Sequence, residues 1–244
     1  MSQLSLPAQL SEDTVQNIVN HFGMTEVHDE NGGPFMTLIS HAPMAQGEVG
    51  SVRVFEGGGL DRLITCSIVV PAMMLDSHML YGFTPKTSAI PHFTLDSVKA
   101  GEHFAFHLDM TPRVDLAQHI GYMNEVFHPL TEKFDAAEAI EGITKAHISP
   151  RQRAIMSPWM LVHRADEAGF AQLTPHLDGY LNHWYDLHTN GVTSPISEEE
   201  LVARDKANRA AIFDPEIDPV WNRIQGLIGE DAVSQLRSML KGES

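Results

Sequence analysis

The segment Pro91–Thr111, PHFTLDSVKAGEHFAFHLDMT, decides the predicted fold, because apolar and polar residues alternate along both of its halves. A period of two places successive side chains on opposite faces of a β-strand. The residues of the apolar face are Phe93, Leu95, Phe104, Phe106 and Leu108. The residues of the polar face are His92, Thr94, Asp96, His103, His107 and Asp109. We therefore predict two strands of a sheet. One face of this sheet is apolar, and the other carries imidazoles, a hydroxyl and carboxylates.

Further strands are predicted before this segment. Val49–Phe55, Arg62–Pro71 and His78–Phe83 are rich in β-branched and aromatic residues, and Gly57–Gly59 marks a hairpin between the first two. No helix-length pattern separates these strands, which favours an antiparallel sheet.

Helices are predicted at both ends of the chain. The first begins at Ser11 and ends at Gly23, and the C-terminal half has helix-start signals at Thr174-Pro175, at Ser197 with Glu200, and at Asp218-Pro219. The last helix carries Val233, Leu236 and Leu240. We predict an α+β fold, a three-layer α/β/α sandwich with a central antiparallel sheet, as one domain over residues 1–244.

Composition narrows the class of protein. The 244 residues are 43% hydrophobic and 20% charged, which is typical of a globular chain. No apolar run reaches the roughly 20 residues of a membrane-spanning helix, and the first residues carry no export signal, so a cytoplasmic location is expected. The lone Cys66 excludes an intrachain disulfide and an iron–sulfur cluster, and its strand context favours a buried, inert thiol.

The formal charge of −16 disfavours nucleic-acid binding, because the chain would repel phosphates. The segment between Ile143 and Ala165 differs, since it contains no carboxylate. Its basic residues are Lys145, His147, Arg151, Arg153, His163 and Arg164. This basic segment is either a solvated loop or a docking place for an anionic partner or anionic substrate groups.

Standard catalytic motifs are missing. The 14 histidines include no His-Glu-x-x-His pair, and no phosphate-binding glycine loop or Gly-x-Ser-x-Gly turn is present. We predict no metal, although a histidine site assembled from separate strands stays an alternative. On the polar face, Asp96 has two interpretations: a solvent-exposed carboxylate, or a pocket acid that burial keeps protonated.

Several motifs resemble the ferredoxin-dependent bilin reductase superfamily, on its red chlorophyll catabolite reductase branch. Pro91–Asp96 is similar to the Pro-x-Phe-x-x-Asp/Glu strand, and His107–Leu116 resembles a strand and turn that end in Arg-x-Asp-Leu. Tyr122–Asn124, Ser157–Met160 and Ala203–Lys206 with Arg209 resemble later parts of the same branch. Asp218-Pro219 resembles the Asp-Pro whose aspartate is the second pocket acid of the bilin reductases, with Asp214-Pro215 as a competing match. The resemblance covers roughly residues 60 to 241.

The resemblance implies the chemistry. No cofactor is bound, and external reduced ferredoxin delivers single electrons to a linear tetrapyrrole that lies between the sheet and the C-terminal helices. Asp96 protonates the substrate, Asp218 is a second donor or simply a helix cap, and His92 or His78 relays protons. The substrate-contacting candidates are Thr94, His107, Asp109, Arg113 and Arg153. Asp109 and Arg113 have a second interpretation as a salt bridge that holds a turn.

Two other functions stay open. A cofactor-independent lyase or isomerase would use the same acid-lined pocket on another aromatic compound, with no electron donor. A non-catalytic tetrapyrrole-binding protein would line an adaptable pocket with some of the 12 methionines and with Trp159, Trp184 and Trp221. The sequence sets neither the substrate nor the regiochemistry, and it leaves a homodimer open.

Overall fold

The structure is a computed structural model that describes residues 4–242, so both ends of the predicted domain (residues 1–3 and 243–244) lie outside the described residues. The strands are β1 Thr25–Val27, β2 Met36–Ser40, β3 Gly47–Gly57, β4 Leu60–Val70, β5 Leu75–Phe83, β6 His92–Ala100, β7 His103–Thr111, β8 Ile143–Lys145 and β9 Leu161–Ala165. The helices are α1 Leu6–Phe22, α2 Ile120–Val126, α3 Thr131–Glu138, α4 Pro150–Ile155, α5 Glu167–Phe170, α6 Thr174–Asn190, α7 Glu198–Ile212, α8 Val220–Ile228 and α9 Glu230–Lys241.

The strands form one sheet in the order β1-β3-β4-β5-β6-β7-β9-β8, and β2 pairs with β3. Every pairing is antiparallel, as predicted. The hairpin between β3 and β4 turns at Gly57–Gly59, all of which have positive φ. A side chain on Gly58 would strike the backbone of Phe22, so glycine is required where this turn meets α1.

Two apolar cores lie on the two faces of the sheet, which confirms the predicted three-layer sandwich. The first core packs α1, α2 and α6 on the face that carries Phe93, Leu95, Phe106 and Leu108. The second core packs the end of α7 with α8 and α9 on the opposite face of β3, β4 and β5. Helix α7 contributes Leu201 to the first core and Ile212 to the second, so it links the two outer layers.

The predicted helix starts need correction in detail. Helix α1 begins at Leu6, capped by Ser5, and Ser11 is buried inside it; the end at Gly23 is confirmed. Ser197 caps α7 as predicted, but the Glu200 side chain binds His119 at 2.7 Å rather than closing a capping box. Helix α6 ends at Gly191, and α8 ends at Gly229.

The short elements β1, β2, β8 and α2 to α5 were not predicted, because three to eight residues carry too little periodicity. Strand β9 directly follows Ser157–Met160, one of the segments that carry the resemblance. Within residues 4–242, no helix combines the length and the apolar character that crossing a membrane would require.

Candidate active site

The site is built on the polar face of β6 and β7. The two strands pair antiparallel with Asp96 opposite His107, which brings both side chains to the same face. The Asp96 Oδ2 and His107 Nδ1 atoms are 3.3 Å apart. The Asp96 side chain is 30% exposed and the His107 side chain is 19% exposed, so the pair is neither buried in the core nor freely solvated. A carboxylate and an imidazole in hydrogen-bond reach are a usual pair for general acid–base catalysis.

Each member of this pair keeps one atom without a protein partner. Asp96 Oδ1 and His107 Nε2 are both buried, and neither has a hydrogen bond to any of the described residues. Both atoms belong to side chains that line a small cavity of about 30 Å³. Buried polar atoms without partners are costly, so they indicate a place where a ligand or solvent completes the bonds.

Asp218 lies at the same small cavity. Its Oδ1 accepts a hydrogen bond from the backbone N–H of Val220 at 3.0 Å, so the predicted helix-start role is real. Burial raises the pKa of the Asp218 carboxyl above its usual range, and the nearby charge of Asp96 raises it further. The cap and the acid are therefore compatible: Asp218 starts α8 and also contributes a carboxyl group that retains its proton more readily.

The charges around His107 favour its protonated form. Burial alone would lower the pKa of this imidazole, but the hydrogen bond that its Nδ1–H donates to Asp96 and the charges of Asp96, Asp109 and Asp218 outweigh burial and raise the pKa. The pair Asp96–His107 thus binds a proton at a pH where an isolated histidine would begin to lose it.

A second, much larger cavity of about 1120 Å³ adjoins the pair on the same face. It lies between helix α8 and the ends of β5, β6 and β7. Its walls include the apolar residues Ile68, Leu75, Met79, Val98, Ala105, Ile224 and Leu227. Val98 follows Asp96 by two residues, Ala105 precedes His107 by two residues, and Met79 lies directly opposite Asp96. The pair therefore lies next to a ligand-sized cavity, but Asp96 and His107 themselves line only the small one.

Two arginines line this large cavity from opposite sides, Arg164 on β9 and Arg223 on α8. Neither forms an ion pair with any residue in the described range, and both are exposed. Guanidinium groups at an apolar cavity are suited to carboxylates of a ligand. The rest of the basic segment is dispersed: Lys145 binds Glu138, Arg151 binds Glu216, and Arg153 is exposed on α4 rather than in the cavity.

The predicted residues His92 and Arg113 belong to a different cluster. His92 and Arg113 are fully buried beside Asp205, with Arg113 Nη1 2.8 Å from Asp205 Oδ1 and His92 Nε2 3.0 Å from the same oxygen. Asp205 Oδ2 also accepts a hydrogen bond from Arg209 Nε at 2.9 Å. Burial lowers the pKa of His92 to about 3, so the imidazole is neutral. The structure separates both residues from the cavities.

Asp109 does not form the predicted salt bridge with Arg113. Both of its carboxylate oxygens accept hydrogen bonds from Ser157, one from the backbone N–H at 3.1 Å and one from the hydroxyl. Burial raises its pKa, and the side chain lines neither cavity. Thr94 does line the small cavity, with its hydroxyl directed at the backbone carbonyl of Asp109.

His78 is on the wrong face of the sheet for the predicted relay. Its strand neighbour Met79 lines the large cavity, so His78 points to the other side, where it binds Ser67 and Asp76. The histidine that contacts Asp96 is His107, on the neighbouring strand. Strand alternation placed His107 on the correct face, but only the register of β6 with β7 shows that the two residues are opposite each other.

Some lining residues were missed and others were wrongly suggested. Tyr81, Gln152 and Ile217 line the small cavity, and none was singled out from the sequence. Trp159, Trp184 and Trp221 line neither cavity.

Cys66 is buried as predicted, and burial raises its pKa to about 12. Among residues 4–242, no three histidine, cysteine or acidic side chains converge as a metal site would require.

The fold matches a solved structure. The crystal structure of phytochromobilin synthase from tomato, in complex with biliverdin, superimposes with a TM-score of 0.74 over 96% of this chain and 82% of that chain. The sequences are 14% identical, so the likeness establishes a shared fold. No protein-family model and no curated protein sequence matches this chain.

Proposed function

We propose that this chain reduces a linear tetrapyrrole of the bilin or red chlorophyll catabolite type, with an external one-electron donor and with Asp96 and His107 as the proton source. The observation that carries the proposal is the Asp96–His107 pair beside a cavity of about 1120 Å³, whose wall includes the strand neighbours Met79, Val98 and Ala105. That volume suits a large ligand, since sites for drug-sized molecules measure about 300–1000 Å³. The shared fold with a protein solved in complex with biliverdin supports the same assignment.

The reaction adds two electrons and two protons to one C=C bond of the ligand, which becomes a CH–CH bond. The electrons come one at a time from two molecules of reduced ferredoxin, which are oxidised. One proton comes from the Asp96–His107 pair, which acts as a single acid and regains its proton from solvent. Asp218, whose pKa is raised by burial, is the proposed source of the second proton.

The wall of the large cavity offers two arginines to an anionic ligand, Arg164 and Arg223, and it also contains the acidic residues Glu102 and Asp166. Arg164 and Arg223 would bind the propionate or other carboxylate groups of a tetrapyrrole, while the apolar walls bind its rings. On α4, Arg151 is paired with Glu216, but the exposed Arg153 offers positive charge to an acidic ferredoxin. Because the whole chain carries −16, we expect this approach to depend on these local charges.

Anaerobic mixing of the protein with biliverdin or red chlorophyll catabolite, followed by reduced ferredoxin, tests the proposal. We expect a new product spectrum that appears only when ligand, protein and reduced donor are all present. Binding without turnover would replace the proposal with a tetrapyrrole-binding protein. Conversion of an aromatic compound with no reductant would replace it with a lyase or isomerase.

A further inference from the structure

Three polar side chains form a chain of hydrogen bonds on the sheet face opposite the Asp96–His107 pair. The Ser67 Oγ atom is 2.9 Å from His78 Nδ1, and His78 Nε2 is 2.6 Å from Asp76 Oδ1. Ser67 is directly opposite His78 in the register of β4 with β5, and Asp76 precedes His78 by two residues. Because alternate residues of a strand share a face, all three side chains point to the same side.

The partners of His78 determine which of its nitrogens is the base. An ionised carboxylate only accepts hydrogen bonds, so Nε2 carries the proton that His78 donates to Asp76. In the neutral imidazole, Nδ1 then keeps its lone pair and accepts the hydrogen bond that the Ser67 hydroxyl donates. A hydroxyl bound to an imidazole that a carboxylate orients is the arrangement of a serine nucleophile with its base, and such sites are defined by geometry rather than by position in the sequence.

The packing of α1 against this face of the sheet ends near Ser67. Helix α1 contacts β5 and β6. On the same face of β4, Leu63 is fully buried, Ser67 is half-buried and Val69 is 41% exposed. The His78 side chain is only 9% exposed. Ser67 is therefore open to a small molecule, while its base is shielded from solvent.

A second hydroxyl lies across the sheet from Ser67. Ser51 is directly opposite Ser67 in the register of β3 with β4, and such cross-strand neighbours have Cβ atoms about 5 Å apart. Ser51 is half-buried, so its hydroxyl is within reach of a molecule that contacts Ser67. Attack on an ester carbonyl places negative charge on the carbonyl oxygen, and a hydroxyl that donates to this oxygen stabilises the charge.

We propose that Ser67, His78 and Asp76 form a second site, which hydrolyses short-chain carboxylic esters. The Ser67 oxygen attacks the carbonyl carbon, and its proton passes to His78 Nδ1 and then to the alcohol that leaves. Water next hydrolyses the acyl group from Ser67, which yields the carboxylic acid and restores the hydroxyl. An open sheet face contacts the ester group but little of a long acyl chain, so short chains are the expected substrates. The site is independent of the proposed reduction, because it lies on the other face of the sheet.

Diisopropyl fluorophosphate tests the site in the wild-type protein. Its phosphorus atom forms a bond to an activated serine oxygen and releases fluoride, and peptide mass spectrometry locates the adduct. We expect an adduct on Ser67 in the folded protein and none after denaturation. Ser238, a half-buried serine of α9, is the internal control and should not react. Folded protein with no adduct on Ser67, or with equal adducts on Ser67 and Ser238, would overturn the proposal.

Asp76→Asn separates chemistry from structure. The asparagine amide still hydrogen-bonds to His78 Nε2, but it donates, so the imidazole proton moves to Nδ1 and the base is lost. We expect the labelling of Ser67 to slow about 10²-fold or more, with a nearly unchanged midpoint of denaturant unfolding. Labelling at the wild-type rate would contradict the role of His78 as the base.

Hydrolysis of p-nitrophenyl acetate gives the second measurement. We expect Ser67→Ala to lower the rate about tenfold or more and Ser238→Ala to leave it unchanged. Equal rates in the two variants would mean that other groups among the 14 histidines react with the ester, and the proposal would fail. If Ser67→Ala does not fold, the location of the phosphorus adduct in the wild-type protein still decides the question.

Discussion

Two charged clusters lie on or beside the same polar sheet face, and they differ in what their atoms contact. In the Asp96–His107 pair, one carboxylate oxygen and one imidazole nitrogen are buried without protein partners beside a cavity. In the cluster of His92, Arg113, Asp205 and Arg209, both oxygens of Asp205 bind arginines, and the side chains are almost completely buried. The second cluster also keeps one buried atom without a partner, Arg113 Nε, but it lines neither cavity. Unpartnered atoms beside a cavity mark the place for chemistry, and the buried ion pairs mark the place for stability.

The position of each cluster explains the difference. Helix α7 passes from one core to the other, and Asp205 in its middle binds both Arg113, at the end of the sheet that α7 covers, and Arg209 of the same helix. The Asp96–His107 pair lies in the middle of the strands, where cover by α4 and α7 gives way to the large cavity. Similar residue types on one strand therefore have different roles because helices cover only part of its length.

Removal of Arg113 should have the largest effect. Arg113→Met leaves Asp205 buried with one lost partner, which is expected to cost about 3–5 kcal/mol of unfolding free energy. Denaturant unfolding measures this loss. Arg151→Met is the control, because its ion pair with Glu216 is exposed and should contribute less than about 1 kcal/mol. Equal losses in the two variants would show that the buried cluster does not stabilise the fold.

His107→Gln should reduce turnover by about 10²-fold or more, because general acid catalysis typically contributes that amount. The unfolding free energy should change by less than about 1 kcal/mol, since the contact of His107 Nδ1 with Asp96 is partly exposed and the glutamine amide can replace it. Steady-state rates and denaturant unfolding measure the two quantities. His128→Gln, at an exposed histidine outside both cavities, should leave both unchanged. A stable, fully active His107→Gln protein would remove His107 from the mechanism.

Turnover should decrease as the pH rises, because His107 loses its proton. Because the pKa of His107 is raised, its proton is retained at pH values above its ordinary range, near 6.5, and is lost as the pH rises through the raised value. Turnover should then fall about tenfold per pH unit on the alkaline side. NMR titration of the imidazole should give a lower midpoint in Asp96→Asn than in the wild type. An unchanged midpoint would mean that Asp96 does not support the proton on His107.

The smallest effect on ligand binding is expected at Arg164, an exposed residue in the wall of the large cavity. Arg164→Gln removes an exposed charge, so binding of biliverdin should weaken by about 1 kcal/mol or less, which is roughly fivefold or less. The catalytic rate of the bound complex should not change. Titration of biliverdin absorbance measures the affinity, with Arg62→Gln, outside both cavities, as the control. A large loss of rate at unchanged affinity would place Arg164 near the reacting atoms instead.

The alternation of Phe104, Phe106 and Leu108 with polar residues was enough to predict the sheet, its two faces and the three-layer fold. The same pattern put Asp96 and His107 on one face, but it says nothing of register between strands, so the pair itself was not predicted. His92 and Asp96 look equivalent in the alternation. Their difference depends on where α7 crosses the sheet, which is a long-range property that local periodicity does not contain.

His78 illustrates a second limit. Its distance along the chain from Asp96 suggested a partner, but a shift of one position moves a strand side chain to the opposite face. The missed residues, such as Tyr81 and Met79, have an apolar character that the core explains equally well. Only the cavity boundaries distinguish the two roles.

The central claim is that the Asp96–His107 pair supplies a proton to a bound tetrapyrrole, and Asp96→Asn tests it most directly. The substitution keeps the size of the side chain and removes its charge. Biliverdin should bind to this variant with nearly wild-type affinity, and reduced ferredoxin should then give no product, or a trapped radical intermediate. Product formation at the wild-type rate by Asp96→Asn would contradict the claim.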